Sequence, residues 1–181
     1  MPDFSTLINR NHAFTENYKG NLPTSPRIPT LVLTCMDARV DPAHFLGLQL
    51  GDSPVLRTGG ARITRDVEIQ IAVLFMLVKQ IQGDDFGGIS VAIIHHTNCG
   101  YERLATPEFR ALLTGQLNMD DAELQTLGIS DHTQAINDDI ERLKQSSCVP
   151  KNVSVTGYIY DVQSGELTEL VPEVKLDAVQ K

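Results

Sequence analysis

Positive charge is scarce in this sequence. Fifteen Lys and Arg face 23 Asp and Glu across 181 residues, a formal charge of −8. A surface of that sign repels phosphate backbones and anionic bilayers at long range, so neither nucleic acid nor membrane is an expected partner. Long apolar runs are missing too. The longest, "IAVLFMLV" from Ile71 to Val78, is bounded by Asp66, Glu68 and Lys79 and falls well short of the roughly 20 residues that span a bilayer. No basic segment followed by an apolar one opens the chain, so no secretory signal is read. Cysteine is limited to Cys35, Cys99 and Cys148, an odd and widely spaced set. Disulfide frameworks of secreted proteins favour dense, even sets, so a cytoplasmic protein with reduced thiols is expected. Tryptophan is absent, and there are no internal repeats or low-complexity segments.

What is present has the balance of a globular protein: 41% hydrophobic and 21% charged residues, in a length suited to one domain, 1–181. A helix is expected over about Ser5 to Tyr18, ended by "NLPTSPRIP" with its three prolines. Short apolar strands follow at Thr30–Thr34, Pro54–Arg57 and Ile89–His95, with an apolar helix from about Asp66 to Gln82, stopped by Gly83, that reads as buried on most sides. Thr106-Pro107-Glu108 has the makings of a helix start. Asp131 with Gln134 resembles a capping box and opens a helix to about Ser146. Val153–Tyr160 is a fourth strand, and after the Ser164-Gly165 turn Glu166–Leu170 pairs back as an antiparallel edge. The expected fold is α/β: a mostly parallel sheet of four strands plus an antiparallel edge strand, with helices on both faces. Residues 172–181 read as a tail or a partner-docking segment.

Two of these strands end in unusual chemistry. The first runs into Cys35-Met36-Asp37-Ala38-Arg39 and the third into His95-His96-Thr97-Asn98-Cys99-Gly100. Ligands of open α/β sheets collect outside the carboxyl ends of the strands. If these two strands are neighbours, Cys35, His96 and Cys99 converge on one point. Two thiolates and an imidazole suit zinc, and three protein ligands leave a fourth position free.

"CMDAR" and "HHTNCG" resemble the two zinc motifs of the β-class carbonic anhydrases, and "GDSPVLRTGG" resembles that family's Gly-Asp segment with its strand and glycine loop. The match runs from about Arg27 to Gly100. The resemblance implies one Zn2+ per chain on Cys35, His96 and Cys99, with Asp37 and Arg39 as a catalytic dyad. It implies hydration of carbon dioxide to bicarbonate by zinc-bound hydroxide. It also implies a homodimer or dimer-based oligomer with the N-terminal helix packed on a partner. The physics of the dyad is direct: Arg39 holds Asp37 ionised, and ionised Asp37 can only accept, so it orients the nucleophile. In some members the aspartate instead closes the zinc site, and that state stays open here.

Other readings compete at several positions. Cys148 has no metal-binding neighbours in sequence and reads as a buried thiol. His95 should face away from His96 by strand alternation and read as a satisfied histidine. His44 and Tyr101 are candidates for proton relay or for pocket wall. Gly59 and Gly60 lack the spacing of a phosphate-binding loop, so close backbone packing at the substrate cleft is expected of them. Many relatives read Arg-Asn-Ala-Gly where this chain has Arg57-Thr58-Gly59-Gly60. That departure falls by the cleft and admits a second substrate, carbonyl sulfide, whose hydrolysis on the same site gives hydrogen sulfide and carbon dioxide. A purely structural zinc would want four protein ligands and no dyad. Thiol chemistry lacks its Cys-x-x-Cys or Cys-x5-Arg signature.

Overall fold

The computed structural model describes residues 4–177. Helix α1 (Ser5–Thr15) is followed by β1 (Thr30–Cys35), α2 (Pro42–Phe45), β2 (Val55–Thr58), α3 (Arg65–Gln82) and β3 (Ser90–His96). Then come α4 (Pro107–Leu117), α5 (Asp121–Leu127), α6 (His132–Gln145), β4 (Ser154–Tyr160) and β5 (Leu167–Lys175). Short 3-10 segments lie at Gly59–Ala61, Gly83–Asp85 and Gly100–Ala105.

The strands form one sheet in the order β2-β1-β3-β4-β5. The first four are parallel and β5 is antiparallel to β4. The chain leaves β1 for β2 on one side, then crosses to β3 on the other. The strand order therefore reverses between β1 and β3, where a crevice forms at the carboxyl ends.

Alternation along the strands sorts the core into two layers. Leu31, Leu33, Val91, Ile93 and Val155 face α3 and α6, which bring Val67, Ile71 and Phe75, and Ile136, Ile140 and Leu143. Those helical positions repeat every three or four residues, so each helix buries one stripe. Val32, Ala92 and Ile94 face the other way and are covered by Phe45, Leu46 and Leu48, from α2 and the loop after it. Both faces carry helix, but unevenly: the two long helices share one side. Asp131 caps α6 by accepting from the Gln134 N–H at 2.7 Å. The reciprocal half of the expected box is missing, because the Gln134 amide donates to Asp138 one turn on.

Two expectations need correction. The apolar run of α3 is buried along one stripe only; Ile69, Val73, Met76 and Leu77 stay between 43% and 58% exposed. The sheet can take only one side of a helix, and no other described element covers the outer side. The expected tail also starts later. β5 continues through Pro172 to Lys175, and Leu176 is buried. Pro172 lacks an N–H, but β5 is an edge strand and its ladder shifts register between Val171 and Val174, so no bond is lost there. Residues 178–181 of that segment lie outside the described residues.

Candidate metal centre

β1 and β3 are hydrogen-bonded neighbours, with Thr34 level with Ile94, so Cys35 and His96 end adjacent strands on the same rim. Thr97 then turns the chain, and Asn98 takes a left-handed conformation (φ 56°) that asparagine tolerates better than most residues. This reversal brings Cys99 back over the strand ends. Cys35, His96 and Cys99 are all buried, and their donor atoms lie within 4.8 Å of one another. Among the described residues no other set of His, Cys and acidic groups comes together in this way.

The donor set fits zinc. The two sulfurs are 3.9 Å apart; two thiolates about 2.3 Å from a shared tetrahedral ion stand about 3.8 Å apart. His96 Nδ1 lies 3.0 Å from the Thr97 carbonyl and, as the donor there, leaves the Nε2 lone pair free. That Nε2 is buried without a hydrogen-bond partner, a state that costs about 1–3 kcal/mol unless something accepts the lone pair. Backbone amides already point at the sulfurs: Asp37 and Gly60 at Cys35, Tyr101 and Glu102 at Cys99. The Cys99 thiol, donating, draws Cys35 down to about 4, with help from His96 and the amides and against burial. The same contact pushes Cys99 up. Burial works against a charged His96, but the Cys35 sulfur beside it outweighs that and raises it.

Beside this cluster Arg39 grips Asp37 with two prongs, Nε to Oδ1 at 2.9 Å and Nη2 to Oδ2 at 2.7 Å, while the Arg39 N–H donates to Oδ1 at 2.9 Å. Arg39 Nη2 also reaches the Asn98 carbonyl at 3.0 Å, fastening the two motifs together. These bonds hold the Asp37 carboxyl far below the usual carboxylate range, the Arg39 side chain contributing most.

Gly59 and Gly60 sit against Tyr101, as close backbone packing requires. A Cβ on Gly59 would fall 1.9 Å from the phenol end of Tyr101, and Gly60 has a left-handed φ of 64°. His44 is exposed, whereas Tyr101 packs beside the two sulfurs as wall. His95 does turn away from His96 and is satisfied at one nitrogen only: Nδ1 meets His132 Nδ1 at 3.0 Å, while Nε2 is buried and unpartnered. Cys148 lies elsewhere, taking a hydrogen bond from Arg65 Nη1 at 3.2 Å.

Sequence reasoning missed three residues. Arg57 donates from Nε to the Cys35 carbonyl at 3.0 Å and from Nη2 to the Asp37 carbonyl at 2.6 Å, so it holds the turn between them. Its position at the end of a strand next to the first was the available signal. Glu102 accepts from the Cys99 N–H at 3.0 Å, and His132 meets Glu102 at 3.2 Å. Spacing gave no sign of that second contact, which bridges 30 positions.

Comparison with known proteins places this geometry. The family model described as carbonic anhydrase matches residues 30–167. β-carbonic anhydrase 1 of Mycobacterium tuberculosis is 27% identical over 165 residues, covering 90% of this chain and 94% of that one. The crystal structure of carbonic anhydrase from Streptococcus mutans is 32% identical, with a TM-score of 0.78 over 94% of this chain and 98% of that one. A carbon disulfide hydrolase of Acidianus is 26% identical over 159 residues, covering 75% of this chain and 74% of that one.

Proposed function

The chain belongs to the β-class carbonic anhydrase family, and we propose that it hydrates carbon dioxide to bicarbonate with one zinc ion held by Cys35, His96 and Cys99. The observation that carries this reading is the buried, unpartnered Nε2 of His96 beside two sulfurs at zinc spacing. Bound there, zinc supplies the Lewis acidity that makes water a nucleophile near neutral pH.

The chain's own residues do the rest. Asp37, acceptor-only as a carboxylate, takes a hydrogen bond from the attacking water and so turns an oxygen lone pair toward the carbon. Arg39 fixes both Asp37 oxygens, which favours a site left open to substrate over one closed by Asp37. Arg57 prevents drift by pinning the carbonyls of Cys35 and Asp37. Because Asp37 is held far below neutrality, its protonation does not set the acid limb of the rate profile. The Gly59–Gly60 turn and Tyr101 would line the substrate side of the sulfurs.

A second reading is hydrolysis of carbonyl sulfide on the same residues, through attack at the equivalent carbon. It is favoured by the similarity to carbon disulfide hydrolases, proteins named for a neighbouring sulfur substrate. The three-residue donor set beside a dyad argues against zinc with a merely structural role. The unpartnered apolar face of α1 supports a homodimer or dimer-based assembly, and the three free thiols suit the cytoplasm. Among the described residues no helix is long and apolar enough to cross a membrane.

Steady-state rates of one zinc-loaded preparation on the two gases test the proposal. Faster turnover of carbon dioxide is expected, and a preference for carbonyl sulfide with feeble hydration would reverse the order. Asp37→Ala should keep one zinc per chain and lose about 10²-fold or more in turnover. Full activity in that variant would overturn the role of the dyad.

A further inference from the structure

One chain of side chains beside the cluster has no part in the chemistry above. Glu102 Oε1 accepts from the Cys99 N–H at 3.0 Å and faces His132 Nε2 at 3.2 Å. His132 Nδ1 in turn lies 3.0 Å from His95 Nδ1. The direction of these bonds follows from the carboxylate, which can only accept. Between neutral rings, His132 must donate from Nε2 and accept at Nδ1, so His95 donates from Nδ1. Burial first, then His132, Arg62 and His96, hold His95 down to about 3, which agrees with a neutral ring.

The contacts close a ring. His95 precedes His96 on β3, His132 opens α6, and Glu102 belongs to the 3-10 turn that follows Cys99. The ring returns to β3 through Thr97 and Asn98. Within it, Cys99 and Glu102 are bonded reciprocally: the Glu102 N–H points at both the Cys99 carbonyl (3.1 Å) and its sulfur, and the Cys99 N–H points at the Glu102 carboxylate. Cys99 is the donor of the three that lies on no strand, so nothing in the sheet ladder fixes its sulfur.

We propose that Glu102, held by His132 and His95, is a positioning residue that keeps the Cys99 sulfur at its distance from Cys35 and His96, and so governs how tightly the centre keeps its metal. The assignment rests on the reading of Cys99 as a zinc ligand. Glu102 does not touch the reacting atoms. It works by restricting the Cys99 loop, as the outer hydrogen bonds of metal sites do, and losing such a bond typically costs 10–100-fold in metal affinity.

Zinc release from the loaded protein to a chromophoric chelator tests this, read alongside the thermal midpoint of the metal-stripped protein. Glu102 and His132 line a surface cavity with Thr97, Ala105, Ile129 and Ser130. Water can therefore solvate the Cys99 N–H in Glu102→Ala, and the fold should survive with an apo midpoint within a few degrees of wild type. That variant is expected to release zinc about tenfold faster or more. Glu102→Gln keeps a carbonyl oxygen able to accept both bonds and should restore slow release. His132→Ala, which frees only the outer hold on Glu102, should fall between the two. Unchanged release from Glu102→Ala, or release from Glu102→Gln as fast as from Glu102→Ala, overturns the proposal. A wild-type protein that takes up no zinc overturns the metal reading itself, a distinct result.

Discussion

At Gly59 a single hydrogen atom in place of a methyl group decides whether Tyr101 has a seat. Tyr101 Cζ and Oη both occupy the space of the missing Cβ, at 1.9 Å from where that atom would stand. No real Cβ tolerates such an approach, so either the ring or the loop must move in Gly59→Ala. The loop has little freedom. The Gly60 N–H points at Cys35, and Arg62, two residues on, is locked to Asp139 on α6 by bonds of 2.8 and 3.1 Å. The ring is the softer element, and its backbone N–H is engaged with Cys99. Gly59→Ala should therefore destabilise the protein by about 1–3 kcal/mol, the usual cost of overpacking. Tyr101→Ala in the same chain should return much of that loss, a coupling that urea denaturation of the four proteins in the cycle would measure. Additive effects would mean that the ring and Gly59 do not compete for space. Where the resemblance would set an Ala, this chain has Gly59, and the Tyr101 ring fills the space a Cβ would take.

Among the elements, the joint between α3 and α6 carries a buried carboxylate that neither helix could satisfy alone. Glu68 is 5% exposed. Its oxygens take bonds from Arg142 at 2.6 Å, Arg65 at 2.9 Å and Ser146 at 3.0 Å. Burial opposes its ionisation, yet Arg65, Ser146 and Arg142 together outweigh burial and bring the carboxyl below its ordinary value. The linkage sign follows: a lowered carboxyl stabilises the fold above its unfolded pKa, and that contribution fades as pH falls through the folded value. Glu68→Gln should cost about 1.5–3 kcal/mol at neutral pH and flatten the acid limb of stability below about pH 4.3, as thermal melts across that range would record. An acid limb identical to wild type would assign the loss of stability to other carboxylates. This joint also marks what the sequence made legible. The stripe of Val67, Ile71 and Phe75 and the near-continuous apolar strands announced their elements because burial imposes those periods. The convergence of Cys35, His96 and Cys99 was legible because they end or closely follow two strands and stand in short motifs. Arg57, His132 and the Arg62–Asp139 pair were not, since each acts across 20 to 77 positions and no local pattern records such contacts. The Cys99–Glu102 contact, by contrast, spans three positions, and only the His132 contact of Glu102 is long-range. The four-residue α2 is too short for a periodicity to repeat, and only its start at Asp41-Pro42 is readable.

For the molecule as a whole, apolar surface is left over. No residue of α1 is buried, yet Leu7, Ile8 and Phe14 share one face at helical spacing, continued by Phe4 before the helix and Tyr18 after it. The outer stripe of α3 with Ile69, Val73, Met76 and Leu77 is equally bare, and β2 ends the sheet as an unpaired edge with Val55 at 44% exposure. An amphipathic helix owes most of its stability to the face it buries, so α1, none of whose residues is buried among the described residues, should fray in an isolated chain. In the proposed homodimer a second copy would cover surfaces of this kind, because a two-fold axis applies every complementary contact twice. Stable pairs bury about 1,200–2,000 Å², and two helical stripes and a strand edge are surfaces of the kind that can supply it. Sedimentation should accordingly give at least twice the mass of one 181-residue chain. Replacing Leu7 and Ile8 together with glutamate should shift the population toward single chains, with lower helicity by circular dichroism, since two buried charges per subunit would then face the partner's apolar surface. Wild-type protein that sediments as a lone chain at micromolar concentration would overturn the assembly. A double variant that stays assembled with its helicity intact would move the interface from α1 to the α3 stripe and the β2 edge.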